Sequence, residues 1–150
     1  MPTENSTNYT NIDSIDLQSL LDQAIEAREA AYAPYSDFKV GAALLAASGK
    51  VYTGCNVENA SYGASICAER NAALSAVKAG ERHFKALAVI GNTPLTYPCG
   101  ICLQFLSEFA DSDMLVLLLN EEGQPSTYLF SDLLPEAFKK SQMEPEHHKD

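Results

Sequence analysis

The order of sequence patterns predicts an α/β domain in which helices cover a sheet. Three observations carry that expectation. Helix-like and strand-like segments alternate in the order helix, two strands, helix, strand, helix, strand and a last short strand. Residues 114–119 (MLVLLL) are apolar without interruption, as a strand buried on both faces must be. The chain's 150 residues, 46% of them apolar, suffice for one hydrophobic core and are few for two.

Taken in order, residues 1–15 are mostly polar and read as a flexible N-terminus, residues 16–140 as a single domain, and 141–150 as a flexible polar tail. From Asp16 the pattern turns helical: Leu17, Leu20, Leu21, Ala24 and Ile25 recur at helical spacing, and Pro34 is expected to end the helix. Residues 40–46 and 51–57 flank the turn Ser48-Gly49-Lys50 and read as a β-hairpin. Residues 58–65 are loop-like. Residues 67–79 are Ala-rich and helical, with Gly80 suited to the C-terminal cap. Residues 86–90 form a short apolar strand bounded by Gly91, and 92–98 a loop with two prolines. Residues 99–109 read as a helix and 114–119 as the central strand. Glu121-Glu122-Gly123 turns the chain into an edge strand at 127–130, and 133–139 is expected to hold one helical turn.

The formal net charge is −10, and the ten Lys and Arg are scattered singly or in pairs. A nucleic-acid binder needs a basic patch to neutralise phosphates, so long DNA or RNA is excluded as the expected partner, and an anionic membrane likewise. A small uncharged ligand suits this balance. No apolar run approaches the ~18 residues a membrane span needs, and the polar first ten residues lack the apolar core of a signal peptide. The expected compartment is the cytoplasm.

The chemistry is concentrated in Cys67-Ala68-Glu69 and Pro98-Cys99-Gly100-Ile101-Cys102. Three thiolates with one open position make a catalytic zinc arrangement, whereas four protein ligands would close the site. Both halves open predicted helices, where free N–H groups and the partial positive charge favour thiolates. Glu69 is not spaced as a ligand. It is placed to lean over the open position, take a proton from water there and return it to a substrate. Two blander readings are a structural zinc with Cys55 as fourth ligand and a redox C-x-x-C. The first leaves Glu69 idle; the second leaves both Glu69 and Pro98 as coincidences. Cys55 reads as a small packed residue on a strand. His83, His147 and His148 lie away from the motif and read as solvated.

Ligand-x-Glu followed by Pro-Cys-x-x-Cys is the signature of zinc deaminases, which includes a three-cysteine form. Around it the chain resembles the small, homotetrameric class of cytidine deaminases. The stretches that carry the resemblance are APYSDFKVGAAL (residues 33–44), GCNVENASY (54–62), ICAER (66–70) and PCGIC (98–102), with a weaker match at LLPEAF (133–138). It spans roughly residues 16–138. The resemblance implies a three-layer α-β-α fold with a mixed, roughly five-stranded central sheet, and one Zn²⁺ per subunit. It implies hydrolytic deamination of cytidine and deoxycytidine to uridine and deoxyuridine plus ammonia, a pyrimidine salvage reaction. It also implies roles. Cys67, Cys99 and Cys102 would hold the metal, with Glu69 catalytic and Arg70 balancing thiolate charge. Asn56 and Glu58 would bind the ribose 3′-hydroxyl, and Phe38 would pack on the pyrimidine. Ala68, through its backbone, and Glu69 would read the polar edge of the base. Ala60, Tyr62 and Phe138 would reach into a neighbouring subunit's site, making the homotetramer part of the active site.

The chain departs from the family's pattern at two places. Leu103 stands where the family usually has arginine, and Lys-Lys-Ser replaces the usual continuation after Phe138. With Leu103, the site would depend more heavily on Arg70. Rival readings are a deaminase of another cytosine nucleoside, such as a blasticidin-type antibiotic, a deaminase of polynucleotide cytosine, and a catalytically weakened zinc-binding homologue.

Overall fold

In the computed structural model, which describes residues 16–143, Asp16 caps the first helix. Its Oδ1 accepts the Ser19 N–H at 2.9 Å and so satisfies one free donor of α1 (Leu17–Arg28). Then follow β1 (Gly41–Ala46), β2 (Val51–Cys55), α2 (Ala68–Lys78), β3 (Phe84–Ile90), α3 (Gly100–Ser107), β4 (Ala110–Leu119), β5 (Pro125–Leu129) and the single turn α4 (Phe130–Leu133). The five strands form one mixed sheet in the order β2-β1-β3-β4-β5. Only β3 and β4 pair in parallel; the other neighbours are antiparallel.

Side chains alternate across the three inner strands with period two. Ala42, Leu44, Leu87, Val89, Met114, Val116 and Leu118 face α2 and α3. Ala43, Ala86, Ala88, Ile90, Leu115 and Leu117 face α1 through its buried Leu20, Leu21 and Ala24. The result is three layers, α-β-α. Helices on both faces explain why these strands read as continuous apolar runs. Each fully buried Leu contributes about 1.5–3 kcal/mol relative to exposure.

Several expected boundaries moved, each for a tertiary reason. α1 stops at Arg28, short of Pro34, because Tyr32 leaves the helical path to bridge Val57: its N–H donates to Asn56 O at 3.0 Å and its carbonyl accepts from Glu58 N at 2.8 Å. β2 ends at Cys55 because Val57 pairs with Ile66 instead of β1. The run at 114–119 belongs to a longer strand beginning at Ala110, and β3, not β4, is the middle strand. The helical turn expected at 133–139 lies at Phe130–Leu133. Leu134 precedes Pro135 and takes φ −138°, ψ 79°, outside the helical region, as a residue before proline is biased to do. Of the expected C-terminal tail, residues 141–143 are described, with Ser141 and Gln142 in the exposed one-turn 3-10 helix Lys140–Gln142. Residues 1–15 and 144–150, with His147 and His148, lie outside the described residues. Among the described residues no helix is long and apolar enough to cross a membrane.

Gly80 closes α2. Its φ is +99°, its N–H donates to Val77 O, and Glu81 N–H donates to Ala76 O, the paired bonds of a Schellman cap.

The topology has a consequence for the chemistry. β2 and β3 are both antiparallel to β1, so they run parallel to each other, and their last residues, Cys55 and Ile90, both flank Gly41. The chain leaves both strands at the same sheet edge. The helices that follow, α2 and α3, therefore start at that edge, where α/β sheets place ligands.

Candidate metal centre and active site

Cys67 and Cys99 are the N-cap residues of α2 and α3. Neither side chain caps its helix, so both sulfurs are free for another partner. Cys102 sits one turn into α3 and is fully buried. The three sulfurs lie within 4.8 Å of one another, with Cys67–Cys99 at 3.9 Å and Cys99–Cys102 at 3.5 Å. Tetrahedral zinc with Zn–S of about 2.3 Å separates its sulfurs by roughly 3.8 Å, so the cluster fits the ion. Cys67 is half-buried and Cys99 exposed, which leaves the cluster open on one side. Cys55 is not part of the cluster.

The Cys67 thiol is drawn down to about 5, first by a hydrogen bond with Cys102 and then by Arg70. Cys102 is pushed up by the same bond and by burial. Arg70 extends from α2 along the cluster: its Nη2 donates to Cys67 Sγ at 3.8 Å and to Ser65 O at 3.4 Å, and its buried Nε has no partner. The bond to Cys67 raises the Arg70 pKa further. Leu103 turns the other way, into the apolar layer between α3 and the sheet.

Glu69 is the one buried charged side chain among the described residues, 4% exposed. Burial pushes its carboxyl up to about 7, against a hydrogen bond from Cys102 that pulls it down. It lines a small cavity of about 180 Å³ with Cys67, Ala68, Cys99, Asn56, Val40, Thr96 and Tyr97. Gly54 allows this placement. A Cβ there would lie 2.5 Å from Ala72 N and 2.6 Å from Ala68 O, so only glycine lets α2 press against β2 this closely.

The remaining expected site residues fall into two groups. Asn56 lines the cavity, and its side chain also ties the preceding loop: Oδ1 accepts from Val40 N–H at 2.8 Å and Nδ2 donates to Phe38 O at 2.8 Å. Phe38 packs beside Gly91, where an added Cβ would lie 2.9 Å from its Cε1 and 2.3 Å from Thr96 Oγ1. Thr96 lines the cavity beside the sulfurs, whereas Phe38 is not among its lining residues. Glu58 and Tyr62 line a different cavity, of about 340 Å³, with Tyr35, Ser36 and Ser65. Glu58 Oε1 accepts from the Tyr35 and Ser36 N–H groups at 2.9 and 3.0 Å, and bonds from Ser36 hold its carboxyl below the usual range. Tyr62 is 75% exposed and stacks edge-on against Tyr35. Ala60 is exposed, and Phe138 is 59% exposed. Neither Ala60 nor Phe138 lines the cavity beside the sulfurs.

Sequence reasoning missed Val40, Thr96 and Tyr97 as lining residues. Thr96 and Tyr97 directly precede Pro98-Cys99, so adjacency to a ligand was a usable signal; Val40 gave none. His83 lies elsewhere, with Nδ1 3.1 Å from Asp111 Oδ1. The larger cavity of about 480 Å³, beneath residues 134–141, holds none of the cysteines.

The family model described as the cytidine and deoxycytidylate deaminase zinc-binding region matches residues 14–118. The chain is 47% identical over 126 residues to a cytidine deaminase of Sporosarcina psychrophila, covering 83% of this chain and 92% of that protein. It is 46% identical over 125 residues to one of Halalkalibacterium halodurans, covering 83% and 95%. Among solved structures, it is similar to a cytidine deaminase from Burkholderia pseudomallei: TM-score 0.77, 50% identity, 83% of this chain and 100% of that one. A cytidine deaminase from Mycobacterium tuberculosis matches with TM-score 0.72 and 40% identity, covering 83% and 98%.

Proposed function

Because the chain belongs to the cytidine and deoxycytidylate deaminase family, we propose that it hydrolyses cytidine and deoxycytidine to uridine and deoxyuridine, releasing ammonia. The observation that carries this reading is a buried carboxylate, Glu69, beside three sulfurs spaced for one zinc ion. Cys67, Cys99 and Cys102 hold that ion, one per subunit. When bound, zinc supplies a Lewis acid that makes water a competent nucleophile near neutral pH.

The chain's own residues do the rest. Glu69 takes the proton released from water as oxygen bonds to C4 of the pyrimidine. It delivers that proton to N3, then takes the proton of the new C4 hydroxyl and passes it to the amine as the C4–N bond breaks and the C4 carbonyl forms. The raised pKa of its buried carboxyl suits it to both halves of the shuttle. Arg70 offsets the excess negative charge of three thiolates, and with Leu103 turned into the core it does so without a second arginine. Asn56 retains one unused N–H and lone-pair capacity beyond its loop contacts, enough to address a ribose 3′-hydroxyl. The family resemblance assigns Glu58 to that hydroxyl as well, although in the single chain it lines the separate cavity with Tyr35 and Tyr62. Phe38 supplies an apolar face for the ring, and the Ala68 backbone and Glu69 read its polar edge.

The cavity beside the sulfurs, about 180 Å³, is smaller than the ~300 Å³ or more usual for a ligand site. A site completed by neighbouring subunits accounts for that. Ala60, Tyr62 and Phe138, all exposed in the single chain, are the residues assigned to the neighbour's site, in a cytoplasmic homotetramer serving pyrimidine salvage. Contacts to a 3′-hydroxyl accept either sugar, so both nucleosides are substrates.

The test is an absorbance assay with cytidine, deoxycytidine and a blasticidin-type nucleoside, with zinc quantified and mass in solution measured. Turnover of the first two at one zinc per subunit is expected. Exclusive turnover of the third, or none in a zinc-replete sample, would refute the reading.

A further inference from the structure

The side chain of Gln104 grips the backbone of Phe138 from both sides. Nε2 donates to Phe138 O at 2.8 Å, and Oε1 accepts the Phe138 N–H at 3.1 Å. Among the described residues, these two bonds are the only hydrogen bonds that join residues 135–143 to the rest of the domain. Packing adds little support, because the segment spans the cavity of about 480 Å³ bounded by Ser107, Phe130 and Leu134. A segment tied to its domain at one point is free to fray on either side of it. The anchored residue is an aromatic that is left 59% exposed. Gln104 is carried by α3, the helix that also bears Cys99 as its N-cap and Cys102 in its first turn.

We infer that Gln104 is a positioning residue for nucleoside binding: its two-ended amide clamp fixes Phe138 relative to the metal-bearing helix, so that the exposed ring is presented in one place. This rests on the reading that Phe138 contacts the nucleoside in a neighbouring subunit's site. Fixing the backbone in advance removes an ordering cost that binding would otherwise carry. An apolar ring contact carries no charge that responds to the departure of the amine, so its loss is expected to act on KM more than on kcat.

Gln104→Met keeps length and helix propensity and removes both bonds. It is expected to raise the KM for cytidine roughly fivefold with kcat changed less than about twofold, at unchanged zinc content. Phe138→Ala should raise KM at least as much, and adding Gln104→Met to it should change nothing further. Hydrogen exchange at the Phe138 amide should accelerate in Gln104→Met. If Phe138→Ala raises KM and Gln104→Met does not, the clamp is irrelevant and the inference falls, while the role of Phe138 stands. If Phe138→Ala leaves KM unchanged, the role of Phe138 falls and takes the inference with it. A Gln104→Met protein that loses kcat or zinc would assign Gln104 to the integrity of α3 instead.

Discussion

The side-chain oxygen of Asn56 accepts the Val40 amide hydrogen at 2.8 Å, while its nitrogen donates to Phe38 O at the same distance. One amide thus splices the end of β2 to the loop carrying Phe38. Asn56→Ala removes both bonds as well as the proposed sugar contact. A stability loss of about 1–3 kcal/mol is expected, with kcat/KM falling well over tenfold. Asn56→Asp keeps the acceptor for Val40 but turns a carboxylate toward the Phe38 carbonyl, and should retain part of the stability. Thermal melts and steady-state kinetics measure both. A melting temperature unchanged in Asn56→Ala would contradict the splice.

Glu69→Gln preserves shape and removes the proposed proton carrier. Zinc content should stay at one per subunit while kcat drops by about 10²–10⁴-fold. Since a buried carboxyl is costly to ionise, the variant should be at least as stable as the parent. Appreciable turnover in a zinc-replete Glu69→Gln sample would end the assignment.

Serine at Cys67, Cys99 or Cys102 should each lower zinc below one per subunit and reduce the melting temperature, because metal binding is linked to folding. Cys55→Ser should keep the full complement, since Cys55 lies outside the cluster. Metal analysis after dialysis decides it, and zinc loss in Cys55→Ser would revive a four-cysteine structural site.

Arg70→Ala removes the cation at the Cys67 sulfur and leaves no arginine at position 103 to compensate. Activity or zinc affinity should fall about 10–100-fold. Leu103→Arg should not repair this. Leu103 is 8% exposed within the core, so the substitution buries a charge and costs on the order of 2 kcal/mol or more. A harmless Arg70→Ala would show that the thiolate charge is balanced elsewhere.

Most of the architecture was legible because both of its periodicities are local. Leu20, Leu21 and Ala24 mark the buried stripe of α1, with Leu17 partly buried at its start, and uninterrupted runs such as 114–118 mark strands covered on both faces. Boundaries were less legible where a distant partner competes for the backbone. Tyr32 leaves the helix for Val57, and Ala110 extends β4 by pairing with Phe84. No local propensity encodes either choice.

By itself the sequence determined the donor set: two cysteines one helical turn apart behind a proline, and a third two residues before a glutamate. Spacing along one helix implies proximity in space, so this much needs no fold. Only the tertiary structure decided that Cys67 and Cys99, 32 positions apart, meet at 3.9 Å. They meet because β2 and β3 run parallel on either side of β1 and release both helices at one edge. The same packing decided which way neighbours on a helix point. Glu69 is buried beside the sulfurs, Leu103 is sunk in the core, and Gln104 is turned out to hold Phe138. Separation along the chain carries no distance between elements; strand order and the faces each helix buries supply it.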